Sequence, residues 1–254
     1  MCWSVAESSQ MPRMAALDPC LMTGMPADVT AATGLDALTH AVEAYVGRWS
    51  TEFSDRMALA AVGMIFANLP LAFADGSDLA AREQMALAST FAGLAFTRAN
   101  VGNVHAIAHQ LGGRYHTPHG LANAIMLPIV LRFCEAGIRP ELAALARRAH
   151  VGAPGASETA LAQKFIAAIE ALNRSLAIPR HLDALREDDI PALADAACHE
   201  ADANYPVPCV MSREACEALL REALPTRPSR RPATRGRQAK PPTKTAARAK
   251  AMRA

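Results

Sequence analysis

The sequence predicts an all-α protein, and three observations favour that fold class. The chain is 51% hydrophobic but only 5% aromatic, and its many Ala, Leu and Met residues favour helices over strands. Apolar residues recur at intervals of three and four, the period of an amphipathic helix. Strand signals are scarce, and only Met14 to Leu17 and Pro206 to Val210 favour an extended backbone. We therefore expect a bundle of helices.

The predicted helices follow one another along most of the chain. The first runs from about Thr33 to Val46, because apolar side chains lie on one side of it at helical spacing. These side chains are Leu35, Leu38, Ala41, Val42 and Tyr45. The later helices are predicted at about 52–74, 79–96, 104 to 112 or 114, 121 onward, 140–151, 158–176, 188–203 and 213–224.

A few residues set the expected ends of these helices. Pro70 is predicted to bend or end the second helix, because proline lacks the N–H that a helix interior uses. Ser77 or Asp78 is predicted to cap the third helix through its side-chain oxygen. The sequence TPHG at 117–120 predicts a turn, and the helix after it contains Pro128.

One predicted helix is apolar enough to raise the question of a membrane span. Met57 to Ala74 is eighteen residues without a charged side chain, about the lower limit for crossing a bilayer. Asn68, Pro70 and several alanines lower its hydropathy, and mostly acidic residues flank it. On this hydropathy argument we interpret the segment as a buried core helix, with no membrane as a partner.

The distribution of charge and the spacing of the cysteines also restrict the class of protein. Residues 226–254 hold ten of the twenty-six Lys and Arg residues and none of the twenty-four acidic residues, so the body is acidic and the tail basic. The tail lacks apolar anchors, which predicts disorder from residue 225 onward. None of the six cysteines has a C-x-x-C partner and the first ten residues do not form a signal peptide, so we expect a cytoplasmic protein with reduced thiols.

Two of the predicted helices each carry a polar pair four residues apart. Asp36 and His40 form one pair, and His105 and His109 form the other. Residues at i and i+4 share a helix face and can reach one ion. His119 follows after two glycines and a proline, which let the chain turn back. One carboxylate and three imidazoles suit Fe²⁺ or Zn²⁺, and also Co²⁺ or Ni²⁺. The spacing leaves open which three of these histidines bind.

Each of these residues also has a purely structural interpretation. Asp36 lies three residues after Thr33, the spacing of a helix capping box. His40 alone suits a core histidine with satisfied hydrogen bonds, and His116 suits a surface residue in the turn. The metal hypothesis depends on the coincidence of both pairs with the returning His119.

These residues lie in blocks that resemble a known family. TAATGLDALTHAVEAYV (30–46) and GNVHAIAHQLGGRYHTPHGLANAIMLP (102–128) are similar to the C-terminal half of iron-containing (group III) alcohol dehydrogenases. That family shares its architecture with dehydroquinate synthase, a nucleotide-binding α/β domain followed by an all-helical domain. The resemblance covers about 12–224. It implies an interdomain remnant at 1–17 and an all-helical metal-binding domain at 18–224, and it leaves the disordered basic tail at 225–254 outside the family pattern.

The resemblance also implies roles for single residues. Position by position, it makes Asp36, His40, His105 and His119 the metal ligands, with Fe²⁺ as the metal and Zn²⁺ as the other candidate. It places His109 beside the nicotinamide of NAD(P), as a cofactor-binding and catalytic residue in proton relay. The implied activity is that of an oxidoreductase that interconverts an alcohol with an aldehyde or ketone.

The sequence departs from this family in two ways. It contains no G-x-G-x-x-G or Gly-Gly-Gly-Ser phosphate loop and no alternating βα pattern, so we expect the nucleotide-binding domain to be absent from this chain. A fragment or half of a split enzyme is then expected, inactive alone, with a separately encoded nucleotide-binding domain as its partner. Its uncovered apolar face predicts a homo-oligomer.

The basic tail is the second departure, and it adds one further alternative. A basic tail can contact nucleic acid through charge alone, but this tail has no aromatic residue to stack on a base, which disfavours nucleic acid as a partner. The other alternative to the enzyme is a non-catalytic metal-binding helical module.

Overall fold

A computed structural model describes residues 14–225 of the chain. Within that range the backbone forms nine α-helices and no β-strand, which confirms the predicted fold class. In chain order the helices are α1 (Ala27–Val46), α2 (Glu52–Ala74), α3 (Leu79–Ala99), α4 (Asn103–Tyr115), α5 (His119–Cys134), α6 (Arg139–Arg148), α7 (Glu158–Ser175), α8 (Ile190–Asn204) and α9 (Arg213–Glu222). The predicted basic tail and nearly all of the predicted interdomain remnant lie outside the described residues.

The two segments predicted to be extended do not form strands. Residues 14–17 and 206–210 are irregular, so the strand predictions are wrong. The second segment is held by contacts other than a strand ladder: the Pro206 carbonyl accepts from the Arg48 N–H at 2.8 Å, and the Cys209 carbonyl accepts from the Asn103 amide at 3.0 Å. Apolar, β-prone residues without a neighbouring strand do not make a sheet.

Helix α1 lies at the centre of the fold, where it packs against α2, α3, α5 and α6. It begins at Ala27, six residues before the predicted start, directly after Pro26. Thr33 is therefore inside the helix, and its hydroxyl donates to the Val29 carbonyl at 2.8 Å. Since Thr33 caps nothing, the capping-box interpretation of Asp36 is wrong.

Helix α2 continues through Pro70 to Ala74, so the prediction that the proline ends it is wrong. Leu69 and Ala72, on either side of the proline, are buried against the neighbouring helices. Packing of this apolar face outweighs the single backbone hydrogen bond that proline removes.

Two segments are long and apolar enough to cross a membrane by length and composition, namely Glu52–Ala74 and His119–Gly137. The inner helix of a globular fold passes the same test. Helix α2 packs against α1 and α3, and α5 packs against α1, α4 and α7. These contacts agree with the interpretation of the first segment as a core helix, and the second segment packs against its neighbours in the same way.

A tight turn between α4 and α5 positions the residues of interest. The residue that caps the end of α4 is His116, whose backbone has the left-handed φ of 56° and whose N–H donates to the Gly112 carbonyl. Thr117 and Pro118 follow, and α5 begins at His119. The chain therefore reverses within three residues, which returns His119 to the side of α4 that carries His105.

Candidate metal centre

Four side chains from three helices meet beside α1. Asp36 and His40 lie one turn apart on α1, His105 lies in the first turn of α4, and His119 is the first residue of α5. One ligand atom of each lies within 4.8 Å of the other three. Between residues 14 and 225, these four form the one group of this kind that can hold a metal ion.

The distances within this group match those between ligands of one ion. Asp36 Oδ1 is 3.4 Å from His119 Nε2 and 3.9 Å from His105 Nε2, and Asp36 Oδ2 is 3.7 Å from His40 Nδ1. Hydrogen bonds between N and O are shorter, at about 2.7–3.2 Å. Ligands about 2.1 Å from a tetrahedral ion stand about 3.4 Å apart, so the residues fit Zn²⁺ or Fe²⁺ with little movement.

The group is closed on one side and open on the other. The side chain of His105 is 2% exposed, whereas that of His119 is 42% exposed, and His40 and Asp36 lie between these extremes. Buried ligands exclude water from behind the site, and the open side leaves room for a small molecule to approach, as in catalytic metal sites.

The surroundings favour the neutral imidazoles that metal binding requires. Burial, reinforced by the neighbouring His105, lowers the pKa of His40 to about 4, although Asp36 opposes the shift. Burial also lowers the pKa of His119, again against the influence of Asp36. Both pKa shifts favour the uncharged ring, whose lone pair can bind a metal ion.

Ring packing holds His40 in place. Its imidazole stacks on Phe96 of α3 with a centroid distance of 4.4 Å, and the same distance separates it from the ring of His105. A core histidine would also be packed in this way. What distinguishes His40 is the carboxylate and the two further imidazoles that surround it.

Asn123 is part of the site and has no role in the sequence prediction. It is fully buried on α5, and its Nδ2 lies 2.6 Å from Asp36 Oδ1, 3.1 Å from His119 Nε2 and 3.2 Å from His105 Nε2. An amide nitrogen only donates, so a ring nitrogen that takes one of its two hydrogens acts as an acceptor. The signal in the sequence was its position four residues after His119, on the same helix face.

Glu43 is a second residue that the sequence reasoning missed. It is 5% exposed on α1, and its Oε2 lies 2.6 Å from His105 Nδ1. Its position seven residues after Asp36 places it on the helix face of Asp36 and His40, which is the signal that could have found it.

His109 lies beside the four candidate ligands and is not one of them. Its ring stacks on His119 with a centroid distance of 5.3 Å, and its Nδ1 lies 2.5 Å from Glu200 Oε1. Glu200 also accepts from Gln110 and from the Tyr205 hydroxyl, each at 2.6 Å. Burial acts to raise the pKa of Glu200, but these hydrogen bonds, led by that from His109, outweigh it and lower the pKa.

Glu200 lies ninety-one residues from His109 on α8, so no local spacing in the sequence signals the pair. His116, predicted to be a surface residue, is exposed at the end of α4 and takes no part in the group of four.

Comparison with known protein families gives one match over most of the chain. The model of the Fe-containing alcohol dehydrogenase family, C-terminal, matches residues 30–224. This range contains all four candidate ligands, His109 and the two carboxylates that contact histidines.

Individual relatives cover the same region. The chain is 44% identical over 216 residues to 1,3-propanediol dehydrogenase of Klebsiella pneumoniae, covering 84% of this chain and 56% of that protein. It is 39% identical over 223 residues to alcohol dehydrogenase 4 of Saccharomyces cerevisiae, covering 87% of this chain and 57% of that protein. The chain therefore spans about half the length of the curated relatives it matches.

Solved structures match with the same coverage. A crystal structure of 1,3-propanediol oxidoreductase superposes with a TM-score of 0.79 at 44% identity, covering 82% of this chain and 55% of that one. An alcohol dehydrogenase from Oenococcus oeni superposes with a TM-score of 0.77 at 34% identity, covering 81% and 54%.

Proposed function

Because this chain belongs to the Fe-containing alcohol dehydrogenase family, whose C-terminal region it matches, we propose that it is the metal-binding helical part of an NAD(P)-linked alcohol dehydrogenase. Asp36, His40, His105 and His119 would hold the metal, with Fe²⁺ as the expected ion and Zn²⁺ as the other candidate. The substrate class would be small alcohols and the corresponding aldehydes or ketones.

One observation carries this proposal. Four ligand atoms from three helices converge within 4.8 Å of one another, and burial lowers the pKa of two of the imidazoles, His40 and His119. Ordinary core histidines do not gather around a carboxylate in this way, because each buried polar group needs only its own hydrogen-bond partners.

The residues of this chain would form the metal-binding side of the active site. A divalent ion bound there would act as a Lewis acid on the oxygen of the substrate. Asp36 supplies the anionic oxygen, and the partly buried His40 and the buried His105 exclude water from one side. The exposed edge of His119 marks the side from which a substrate would approach.

The pair of His109 and Glu200 can move a proton next to this site. Glu200 accepts hydrogen bonds from the Tyr205 hydroxyl and from the Gln110 amide. It therefore also acts as the acceptor toward His109, whose Nδ1 carries the hydrogen. In the neutral ring with this tautomer, Nε2 of His109 has a lone pair and can accept a proton from a neighbouring hydroxyl group. We assign His109 the role of proton relay near the nicotinamide.

A nicotinamide cofactor would have to be held largely by another unit. No strand and no phosphate loop lies within residues 14–225, whereas dinucleotide sites are built at strand ends. We propose that a nucleotide-binding α/β domain, encoded separately or lying outside this sequence, completes the enzyme. The chain alone is expected to bind the metal and to have negligible dehydrogenase activity.

Metal binding tests the proposal with a matched pair of variants. The purified chain is titrated with Zn²⁺, and anaerobically with Fe²⁺, against a chelator of known affinity. His119→Ala should lower the affinity at least about tenfold, because a ligand is lost. His116→Ala removes an imidazole three residues away that is exposed and outside the group, and it should leave the affinity unchanged.

Activity assays then separate the enzyme from the alternatives. Turnover of alcohols with NAD⁺ or NADP⁺ that appears on adding the nucleotide-binding domain supports the proposal. Metal binding without turnover or nucleotide affinity under any of these conditions would instead indicate a non-catalytic metal-binding module. Stoichiometric binding that is equal in the wild type and in His119→Ala contradicts the assigned site.

A further inference from the structure

Glu43 is a buried acidic residue whose four hydrogen bonds all go to one short segment. Oε1 accepts from the N–H of Val104 at 2.7 Å, and Oε2 accepts from the N–H of Gly102 at 3.0 Å and of His105 at 3.4 Å. Oε2 also lies 2.6 Å from His105 Nδ1. Burying a carboxylate is costly unless it is fully hydrogen-bonded, and each of these partners belongs to the start of α4.

The carboxylate replaces a cap that α4 does not provide for itself. The N-cap residue Gly102 has no side chain to accept from the first N–H groups of the helix. Glu43 accepts from Gly102, Val104 and His105, and its charge suits the positive end of the helix dipole. Helix α1 thereby holds the first turn of α4, which contains the candidate metal ligand His105.

The same contacts determine where the proton of His105 lies. Both oxygens of Glu43 accept from backbone N–H groups, so the carboxylate is an acceptor toward His105 as well, and Nδ1 must carry the hydrogen. Asn123 provides an independent indication, because its donating Nδ2 faces His105 Nε2 at 3.2 Å. The lone pair of Nε2 therefore faces the other candidate ligands.

Gly102 leaves the space that this arrangement needs. A Cβ atom at position 102 would lie 2.9 Å from Glu43 Oε1, closer than real Cβ contacts. Its φ of −144° lies outside the left-handed region, so a positive φ is not what requires glycine here. The approach of the Glu43 carboxylate does.

We infer that Glu43 is the positioning residue of the metal centre, which fixes the ring and the tautomer of His105 and thereby sets the affinity of the site for a divalent ion. This inference rests on the proposed metal-binding function. Asp36, His40 and Glu43 lie on one face of α1 and would have two roles. The first two residues would bind the ion, and Glu43 holds a ligand that belongs to another helix. A carboxylate behind a metal-bound imidazole raises the basicity of the ligand and fixes its orientation.

The variant Glu43→Gln tests this inference by metal affinity and by NMR. An amide has one oxygen and one NH₂ group, so it cannot accept on both sides as the carboxylate does. The full chain is titrated with Zn²⁺ against a competing chelator. We expect Glu43→Gln to bind Zn²⁺ about 10- to 100-fold more weakly than the wild type.

An NMR measurement on the metal-free protein reports on the hydrogen bond between Glu43 and His105 directly. The Nδ1–H proton of His105, assigned with His105→Ala, should resonate far downfield in the wild type because it donates to a carboxylate. It should move upfield in Glu43→Gln, whichever way the amide is oriented. A general loss of stability does not move this single resonance.

Arg82→Leu provides the matched control for destabilisation. Arg82 is 1% exposed and donates to the Thr30 hydroxyl and to the carbonyls of Met25 and Gly76, and it contacts none of the four candidate ligands. This variant should lower the melting temperature and keep the wild-type Zn²⁺ affinity. If Glu43→Gln does not fold, Glu43→Asp is measured in the same way. This variant keeps the charge, but its side chain is one carbon shorter and does not reach the His105 ring.

The outcomes separate the inference from the proposed function. Wild-type Zn²⁺ affinity in Glu43→Gln, together with an unmoved Nδ1–H resonance, overturns the inference while the metal site stands. Equal losses of affinity in Glu43→Gln and Arg82→Leu also overturn it, since general destabilisation then explains both. Absence of Zn²⁺ and Fe²⁺ binding by the wild type overturns the proposed function, whatever the resonance shows.

Discussion

Asn123 faces three acceptors with a group that carries only two hydrogens. Its Nδ2 lies within 3.2 Å of Asp36 Oδ1, His105 Nε2 and His119 Nε2, so one of the three is always left without a full hydrogen bond. The Oδ1 of the same amide is buried and accepts from no group in the described structure. A divalent ion has no such limit, because it takes a lone pair from every ligand at once. At the scale of residues, the cluster is therefore better suited to an ion than to hydrogen bonds alone.

The close approach of Gly102 to Glu43 gives a prediction at this scale. Gly102→Ala forces the carboxylate away from its 2.9 Å position, which weakens the support of His105. We expect the Zn²⁺ affinity to fall about tenfold or more, although residue 102 contacts no candidate ligand. Isothermal titration or chelator competition measures this change.

Gly93→Ala is the control for the glycine substitution itself. A Cβ at this interior position of α3 meets nothing within 4 Å, so the variant should be stabilised by about 0.5–1 kcal/mol. Its metal affinity should match that of the wild type. A Gly102→Ala protein with unchanged affinity would contradict the steric argument.

At the scale of elements, the site depends on how closely α5 approaches α1. Helix α1 contributes Asp36 and His40, and α5 contributes His119 and Asn123. The two helices touch at Gly120, where a Cβ would lie 2.2 Å from the backbone oxygen of Ala32. Because the obstacle is backbone, no side-chain movement relieves it. The candidate metal centre is therefore built at a contact where a Cβ would meet backbone.

Gly120→Ala tests this contact. The extra methyl group must push α5 away from α1, and overpacking of this kind costs about 1–3 kcal/mol of folding free energy. Since His119 and Asn123 move with α5, metal affinity should fall together with stability. Urea unfolding and Zn²⁺ titration of the same sample measure both quantities.

Gly113→Ala provides the matched comparison, because it lies on α4 with nothing within 4 Å of its Cβ position. It should retain metal affinity and lose no stability, because alanine is favoured over glycine in a helix. Equal behaviour of the two variants would show that the α1–α5 contact tolerates a side chain.

At the scale of the whole molecule, the chain carries all four candidate ligands in about half the length of its relatives. Several large apolar residues are exposed in the described part, including Met14, Leu21 and Trp49. The expected self-association and the expected partner domain would both cover apolar surface of this kind, and both stay predictions. The basic tail and its predicted disorder lie outside the described residues.

Metal binding should stabilise the whole fold, because the ligands come from three helices and converge only in the folded state. At a free Zn²⁺ concentration one hundred times Kd, mass action adds about 2.7 kcal/mol, which calorimetry detects as a higher melting temperature. His105→Ala should lose this increase, and a chain lacking residues 226–254 should keep it. Loss of the increase on removing the tail would place part of the site outside the helical domain.

The sequence by itself determined the local features of this protein. Helical periodicity predicted the all-α class and the positions of the helices, because backbone hydrogen bonds and the i, i+4 face involve only near neighbours. The same spacing singled out Asp36, His40, His105 and His109, and the resemblance to a family singled out the first three with His119 as ligands. Only the tertiary structure decided how residues far apart in the chain pair. It placed Glu43 behind His105, sixty-two residues away, and Glu200 behind His109, and it carried α2 through Pro70 by packing. Such pairings depend on which helix faces meet, and no local pattern encodes that.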